Sequence, residues 1–435
     1  MTNFRPIALC NTVAKVIAKY LATRRKNVLP TIILESQSAF VANRLITDNV
    51  LLSYEIHHLI KYKKVGREGY MSIKLGMMKA YDRIEWTFLK AMLLQLNFSH
   101  KWINLIMDYV TSVSYSVLVN GELQRISLGA NTPTFSHLMF ADDTLLLGRA
   151  SVTEAATFMS ILKQYEPWSG ELINPQKSAV QFSPNVSGEL RAAITDILGM
   201  PEVATHGKYL ELPTSLGASK EEISSSILNR VKAKVEGWKP RLLSKVGKEI
   251  FIKSVLQVIP NYPMQCFLLP KQVCNKINSI LTNYWWGVTE KKKKIHWATW
   301  KKLCTTKENG GLGFRDLRLL NLALLSKQVW RIITNPQGQL ARVYKARYFL
   351  HGTFWDAQLG TKPYYTWRSL LQVREFLNRM VDWSIGDEKT IHVWHHRWTS
   401  YTWSHMPYTA KPTTNQKYTL SELIDADIGT WDIIK

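Results

Sequence analysis

The stretch HLMFADDTLLLGR, residues 137–149, places two adjacent carboxylates, Asp142 and Asp143, between two apolar runs. The runs predict two short β-strands, and the acidic pair predicts a hairpin turn at Asp142–Asp143. Because Asp is a common turn former, a solvated turn is the ordinary interpretation of such a pair alone. Neighbouring carboxylates can also hold divalent cations, since Mg²⁺ prefers oxygen ligands. A metal site here would need a further carboxylate from elsewhere in the chain.

A strand and a helix are predicted upstream of this hairpin. In YMSIKLGM, residues 70–77, apolar side chains alternate with polar ones, which predicts a half-buried strand with Gly76 on its open, polar face. In DRIEWTFLKAMLLQL, residues 82–96, a large apolar residue recurs every four positions, which predicts an amphipathic helix with Asp82 near its start. The strand, the helix and the acid-tipped hairpin therefore predict a βαββ-type core.

Other periodic stretches extend this α+β prediction. Apolar residues at helical spacing predict further helices over residues 12–28, 47–64, 153–166, 221–257, 271–286 and 317–333. Thr47 or Asp48 is the expected N-cap of the second of these helices. Residues 115–128 predict another hairpin, which turns at Asn120–Gly121.

The chain is strongly basic, with a formal net charge of +23. Residues 201–435 hold 35 of the 56 Lys and Arg residues but 18 of the 33 Asp and Glu residues. Such a field favours a polyanionic partner, although a merely basic protein is the alternative. The candidate nucleic-acid contacts are Lys232, Lys234, Lys239, Arg241, Lys245, Lys248 and Lys253, with a lysine run at 291–294. A solvated helix face is an equally good interpretation of these lysines.

Cysteines and targeting signals indicate a reducing, intracellular location. The four cysteines are too few and too scattered for a disulfide framework or a zinc site. No secretory signal is recognisable, and the longest uncharged stretch, residues 254–270, contains three prolines, which argues against a membrane span. The nucleus or cytoplasm is the expected location. The adjacent His57 and His58 diverge on a helix, so a surface or packing role is a better interpretation than a shared metal site.

Tryptophan is unusually frequent in the second half of the chain. Of 16 tryptophans, 13 lie from Trp238 onward. A core or interface role is the ordinary interpretation, and Trp383, Trp394, Trp398 and Trp403 are expected to pack in a small C-terminal module. Aromatic residues interleaved with Lys and Arg can also form stacking platforms for single-stranded nucleic acid.

Seven stretches of the chain follow the motif order of one known family. They are FRPIALCNTVAKVIAKYLATR (4–24), ESQSAFVANRLITDNVLL (35–52), KLGMMKAYDRIEW (74–86), FADD (140–143), SGELINPQKS (169–178), YLELPT (209–214) and the run from WWG to NLALLSKQVWR (285–331). Taken together, they resemble the reverse transcriptases of plant non-LTR (LINE-type) retrotransposons. The resemblance covers nearly the whole chain.

The resemblance implies an RNA-directed DNA polymerase, a nucleotidyltransferase with a right-hand fold. In such enzymes carboxylates of the palm hold two divalent cations, which activate the attacking 3′-hydroxyl and neutralise the transferred phosphoryl group. The resemblance assigns Asp142 and Asp143 as ligands of Mg²⁺ or Mn²⁺, and places Lys177 near the phosphates of the incoming nucleotide. The implied partners are an RNA template and a DNA primer, or an RNA–DNA hybrid.

Two departures from the family's pattern predict an inactive copy. The family's first catalytic motif carries an Asp where this chain has Gly76, and Asp82 is expected to be structural rather than a substitute ligand. Only residues 129–137 stand where the family has a template-gripping RQGxxxSP-type loop and a long helix. Without that helix, one face of the sheet is expected to expose apolar side chains. In addition, YLELPT has Glu211 where the family usually has Gly.

The sequence thus predicts a partial right-hand polymerase fold of three parts. Residues 1–183 are the expected truncated fingers and palm, residues 184–270 a thumb-like basic helical region, and residues 271–435 a Trp-rich extension. The predicted function is a LINE-type reverse transcriptase domain without catalytic activity, and binding of the incoming nucleotide is doubtful. The alternative is a nucleic-acid-binding remnant without polymerase activity.

Overall fold

A computed structural model shows the chain as helices joined to short strands. It describes residues 12–77, 84–110, 126–127, 134–141, 143–214, 219–238, 243–287, 294–360, 363–382, 393–394, 397–399 and 419–423. Helices and small antiparallel sheets occur together, so the α+β prediction is confirmed. The chain forms two compact units, residues 1–369 and residues 370–435. The division into three parts at residues 183 and 270 stays a prediction.

The described residues of the first unit contain eight short strands. They are β1 (Tyr70–Leu75), β2 (Ile126–Ser127), β3 (Thr134–Phe135), β4 (His137–Phe140), β5 (Asp143–Arg149), β6 (Ala179–Phe182), β7 (Lys208–Tyr209) and β8 (Leu212–Pro213). Four of them form an antiparallel sheet in the order β4–β5–β1–β6. The other four form two-stranded pairs, β2 with β3 and β7 with β8.

Helices account for most of the remaining described residues. They are α1 (Thr12–Arg25), α2 (Leu29–Ile32), α3 (Ile46–Tyr62), α4 (Trp86–Gln95), α5 (His100–Val110), α6 (Val152–Ser169), α7 (Gly188–Leu198), α8 (Ser219–Gly237), α9 (Lys245–Phe251), α10 (Asn261–Met264), α11 (Lys271–Trp286), α12 (Trp300–Cys304), α13 (Leu317–Thr334), α14 (Gln339–Tyr348), α15 (Tyr365–Gln372) and α16 (Arg374–Asn378). A π-helical turn, Ile252–Leu256, continues α9. The predicted helices over 12–28, 47–64, 153–166, 271–286 and 317–333 are confirmed, and so is the mainly helical stretch 221–257.

One face of the four-stranded sheet builds a core against two helices. Met71, Ile73 and Leu75 of β1 are buried and pack with Phe158 of α6 and Ile194 of α7. The alternating apolar side chains from which β1 was predicted thus face the core, as expected for a strand that helices cover on one side.

The opposite face of the sheet is covered as well. Leu138, Leu145 and Leu147 lie on it and are fully buried. Helix α3 packs against β4, and the Asn49 side-chain amide donates to the Met139 carbonyl over 2.8 Å. The prediction of an exposed apolar face is therefore wrong. Helix α3 covers the face that was expected to be exposed in the absence of the family's long helix.

Polar contacts fasten α3 to the helices α13 and α14. Arg331 of α13 pairs with Asp48 at 2.8 Å, and Arg347 of α14 pairs with Glu55 at 3.0 Å. Glu55 is fully buried, and the Tyr348 hydroxyl also donates to it, over 2.9 Å. Burial raises the pKa of Glu55, while the Arg347 charge opposes that rise. Sequence periodicity gave no sign of this long-range clamp.

The start of α3 differs from the prediction by two to three residues. The helix begins at Ile46 after Leu45, so neither Thr47 nor Asp48 is the N-cap. Asp48 instead accepts a hydrogen bond from the Leu45 backbone N–H over 3.1 Å. A carboxylate three residues into the helix satisfies a free amide at the helix start in this way.

The second unit contains a small cluster around Val393 and Leu420. Trp394, Trp398 and Leu423 pack against these two buried residues. The Trp398 indole donates to the Val393 carbonyl over 2.8 Å. The packing role predicted for Trp394 and Trp398 is confirmed.

Several predicted features lie outside the described residues. They are Asp82, the hairpin turn at Asn120–Gly121, Asp142, Lys239, Arg241, Lys291 to Lys293, Trp383 and Trp403. In the part of the chain that the structure describes, no helix is both long enough and apolar enough to cross a membrane.

Candidate functional site

The acidic hairpin forms one end of the four-stranded sheet. Phe140 of β4 pairs with Asp143 of β5, so the chain reverses direction between these two residues. Ala141 takes a left-handed conformation with φ of 52°, which suits a two-residue hairpin turn. The predicted turn at Asp142–Asp143 is therefore wrong by one residue. Asp143 is the first residue of β5 and is positioned by strand pairing rather than by a loop.

Gly76 lies at the same end of the sheet as Asp143. Strand β1 ends at Leu75, which pairs with Thr144, so the next residue of β1 comes alongside the residue that precedes Thr144. The Gly76 N–H donates to Ser178 Oγ over 3.1 Å, and the Gly76 carbonyl accepts from the Asn174 N–H over 2.7 Å. A turn over residues 174–178 is thereby held against the end of β1.

This turn brings Lys177 directly over Gly76. A Cβ atom at position 76 would lie 2.6 Å from Lys177 Cβ and 3.3 Å from the Lys177 carbonyl oxygen. Contacts under 3.0 Å are essentially never seen for real Cβ atoms. Three predicted site positions, Gly76, Asp143 and Lys177, thus meet at one end of the sheet. The turn over residues 174–178 therefore leaves no space at Gly76 for a side chain.

Two tyrosines, of which Tyr209 is buried and Tyr262 half-buried, lie near the acidic end. Tyr209 of β7 and Tyr262 of α10 both lie close enough to Asp143 for its charge to affect them. Burial is the first cause that raises the pKa of each phenol, and the Asp143 carboxylate raises it further. Both hydroxyls are neutral at physiological pH. The Tyr262 hydroxyl donates to the Leu210 carbonyl over 2.8 Å, which ties α10 to the β7–β8 hairpin.

The described residues do not fit a two-metal centre. At this end of the sheet they supply one carboxylate, Asp143, while Gly76 contributes none and Asp142 lies outside the described residues. Among the described residues, no group of three or more His, Cys, Asp or Glu side chains could hold a metal ion. A hard cation would need more oxygen ligands than Asp143 alone provides.

Two buried histidines lie behind the acidic end, on the polar side of β1. His206 Nε2 is 2.9 Å from the hydroxyl of Ser72, and the His57 ring meets the His206 ring edge-on at 5.4 Å. Ser72 is fully buried beneath them, so the polar side of β1 is not open as predicted. The packing role expected for His57 is confirmed, whereas the sequence gave no signal for His206.

Burial keeps both imidazoles neutral. It lowers the pKa of His57 to about 4 and, together with the nearby His57, that of His206 to about 3. The unfolded chain, with ordinary histidines, binds protons more readily than the fold does below about pH 6.5. Stability is therefore fully present above that pH and is lost as the pH falls toward 4 and then 3. Acid should weaken the fold through this pair.

Five of the predicted nucleic-acid-binding residues are described, and they lie on α8, α9 and the π-helical turn. Lys232 and Lys234 of α8 and Lys245 of α9 are exposed, and Lys248 is half-buried. Lys253 differs, because it pairs with Glu249 at 2.8 Å. The i,i+4 spacing of Glu249 and Lys253 is a signal in the sequence that could have identified this pair, whereas the pair of Glu249 with the distant Lys307, at 2.9 Å, has no local signal.

Comparison with known proteins gives a family but no activity. No family model matches the chain. The "Uncharacterized mitochondrial protein AtMg00310" of Arabidopsis thaliana is 47% identical over 141 residues, which make up 32% of this chain and 92% of that protein. This chain belongs to the AtMg00310 family.

Two longer proteins are each similar to a part of this AtMg00310 family member. The "Putative ribonuclease H protein At1g65750" of Arabidopsis thaliana is 33% identical over 178 residues, 40% of this chain and 28% of that protein. The "Transposon TX1 uncharacterized 149 kDa protein" of Xenopus laevis is 29% identical over 121 residues, 28% of this chain and 9% of that protein. The chain thus matches less than a third of either protein's length.

Proposed function

We propose that this chain descends from the reverse transcriptase domain of a LINE-type retroelement and no longer polymerises DNA. The ordered motifs support this origin, and so does the similarity to a transposon protein. The antiparallel sheet supports a palm-like core, because its acidic hairpin and the end of β1 meet where a polymerase would place carboxylates. An RNA template and a DNA primer would have been the partners of the ancestor.

The observation that carries the loss of activity is the closed backbone at Gly76. The position has no carboxylate, and Lys177 occupies the space that a side chain would enter. Removing one preorganised charge-stabilising group commonly costs about 10²–10³ in rate. Because a shared ligand of two Mg²⁺ or Mn²⁺ ions also fixes their position, its loss should cost at least that much.

A primer-extension assay tests this proposal. The full chain is incubated with an RNA template, a DNA primer, dNTPs and either Mg²⁺ or Mn²⁺, beside the Asp143→Ala variant. We expect the two proteins to give the same background, because neither can assemble the metal pair. Incorporation by the wild-type chain that Asp143→Ala abolishes would overturn the proposed inactivity.

A second candidate function is nucleic-acid binding without catalysis. It is favoured by the exposed Lys232, Lys234 and Lys245, which present cations from two helices of the basic region. Three phosphate contacts would give a log–log salt slope of roughly −2.7, or about a 40-fold loss of affinity between 50 and 200 mM salt. Phosphate contacts of this kind bind without reading sequence.

Fluorescence anisotropy with a labelled RNA–DNA hybrid tests the second candidate. We expect Lys234→Ala to reduce the salt slope by about 1, whereas Lys101→Ala on α5 should leave the slope unchanged. Affinity that does not vary between 50 and 200 mM salt would exclude this function.

A further inference from the structure

Three lysines and the stacked rings of Trp286 and His296 lie at the C-terminal end of α11, and Trp297 is the next residue of the chain. We name this group the lysine–tryptophan patch and define it as Lys245, Lys248, Lys294, Trp286, His296 and Trp297. The patch is part of the first unit, and its role as inferred below rests on the nucleic-acid-binding candidate. Between Gly287 and Lys294 the sequence also contains Glu290 and three lysines, which lie outside the described residues.

The ammonium groups of the patch converge on one point. At Gly287, which ends α11, the position of an added Cβ is 3.4 Å from Lys294 Nζ and 3.6 Å from Lys248 Nζ. The pKa of Lys248 is lowered, first by partial burial and then by the charges of Lys245 and Lys294. These three cations therefore stand close enough to repel one another.

Nothing among the described residues neutralises this cluster. None of the three lysines forms an ion pair with a described carboxylate, in contrast to Lys253 on the same segment. The C-terminus of α11 supplies the equivalent of about half a negative charge, which is too little for three ammonium groups. A bound anion would relieve the repulsion.

Aromatic rings flank the same point. His296 stacks on Trp286 at a centroid distance of 6.2 Å and an interplanar angle of 20°. Lys245 Nζ lies 5.1 Å from the centroid of the Trp286 ring. The next residue, Trp297, is 80% exposed, so its indole is open to solvent. A solvent-exposed indole therefore follows directly in the chain after a ring that stacks beside the cationic cluster.

The chemistry of the patch selects its partner. A single exposed apolar side chain needs no explanation by itself. An apolar partner would have to desolvate the lysines at a cost of several kcal/mol, which makes a protein core face or a lipid tail a poor occupant. A strand with phosphates and unstacked bases satisfies the ammonium groups and the indole at once. In a duplex the bases already stack on one another and cannot reach the ring.

We propose that the lysine–tryptophan patch binds single-stranded nucleic acid. Its phosphates lie on the three lysines, and one base stacks on Trp297. The stacked pair of Trp286 and His296 supports the segment that carries Trp297.

The test compares a single strand with a duplex on the full chain. Anisotropy is measured at one fixed low salt concentration with three labelled oligonucleotides of equal length: a single strand, the blunt hybrid of the same sequence, and a single strand of abasic sites. Variants are Trp297→Ala, Trp297→Phe, Lys294→Ala and, as the matched control, Trp168→Ala, which removes a 63%-exposed indole on α6. Circular dichroism establishes that each variant is folded.

We expect Trp297→Ala to weaken single-strand binding roughly 5- to 100-fold, because one stacked base is lost. The same variant should leave duplex and abasic-strand binding unchanged, and Trp297→Phe should recover most of the affinity. Lys294→Ala should weaken binding to all three oligonucleotides, and Trp168→Ala should change none.

Three results would overturn the proposal. If Trp297→Ala and Trp168→Ala bind single strands equally well, the stacking site is wrong while nucleic-acid binding stands. If the wild-type chain binds none of the oligonucleotides at low salt, both the patch and the nucleic-acid-binding candidate fail. If it binds phosphatidylserine vesicles in a Trp297-dependent way but no single strand, the patch is a membrane contact instead.

Discussion

Adding a single methyl group at position 76 is expected to destabilise this protein. In Gly76→Ala the new Cβ lies 2.6 Å from Lys177 Cβ, whereas ordinary contacts begin at 3.4 Å. Lys177 Cβ cannot swing away, because it is attached to a turn that hydrogen-bonds back to Gly76 on both sides. Overpacking of this kind costs about 1–3 kcal/mol, and the reduced entropy of the unfolded chain returns about 0.4–1 kcal/mol. We expect a net loss of about 1–2 kcal/mol in the free energy of unfolding.

Urea denaturation of four variants measures this cost. Gly188→Ala is the matched control, since no atom lies within 4 Å of its added Cβ, and it should be neutral or slightly stabilising. Lys177→Gly alone and combined with Gly76→Ala completes a double-mutant cycle, in which removal of Lys177 Cβ should recover about 1 kcal/mol. If Gly76→Ala is as stable as Gly188→Ala, the backbone at Gly76 is not closed and the reasoning fails.

The same geometry bears on restoring the family's aspartate. Gly76→Asp adds the Cβ that meets Lys177 and also brings a carboxylate beside Asp143, so that like charges add to the overpacking. Reversion at this one position is therefore expected to destabilise the fold rather than to recover a metal site.

Three further perturbations follow from other parts of the first unit, and the control for the last of them lies in the second unit. Glu211→Gly should stabilise the fold by about 0.5–1 kcal/mol in urea denaturation, because Glu211 sits at a φ of 63° that costs an L-residue; an unchanged or lower stability would contradict this. His206→Gln should reduce the loss of unfolding free energy in acid. The wild type should lose up to roughly 2 kcal/mol per buried histidine between pH 6.5 and 5. A variant with the same loss would show that His206 is not a buried, neutral imidazole. Arg347→Met should cost about 3–5 kcal/mol by stranding buried Glu55, while Arg379→Met, which breaks an exposed pair, should cost at most about 0.5 kcal/mol; equal costs would show that Glu55 is not held as a charge.

Local signals allowed most individual elements to be predicted. The helices α11 and α13 agree with the sequence-based ranges to within one residue, because Gly287 and Asp316 mark their ends. Asp316 caps α13 by accepting from the backbone N–H groups of Arg318 and Leu319. The alternation in β1 was equally clear, since apolar residues at every second position are read directly from the sequence.

Features that depend on distant pairing were missed or misplaced. The acidic turn was placed one residue too late, because the register of β5 is fixed by β1, about seventy positions earlier in the chain, and not by the turn residues themselves. His206 and Glu55 are buried by partners far away in sequence, which no local periodicity encodes. The expected exposed apolar face does not exist, because α3 packs on it.

The residues of the candidate site were predictable from local motifs, but their packing against one another was not, because it depends on contacts that are distant in sequence. Gly76, Asp143 and Lys177 were singled out by their motifs, and the fold brings them together. Motifs could not show that Lys177 closes over Gly76, since that depends on the turn over residues 174–178. They also could not show that Glu249 pairs with the distant Lys307.

Counting the Mn²⁺ ions that bind at the acidic end shows whether this chain can assemble a metal pair without a carboxylate at position 76. Electron paramagnetic resonance of the full chain, titrated with Mn²⁺ beside Asp143→Ala, reports how many ions depend on this carboxylate. We expect at most one such ion, because position 76 offers no ligand. Two spin-coupled ions that both disappear in Asp143→Ala would contradict it and would restore this chain as a candidate polymerase.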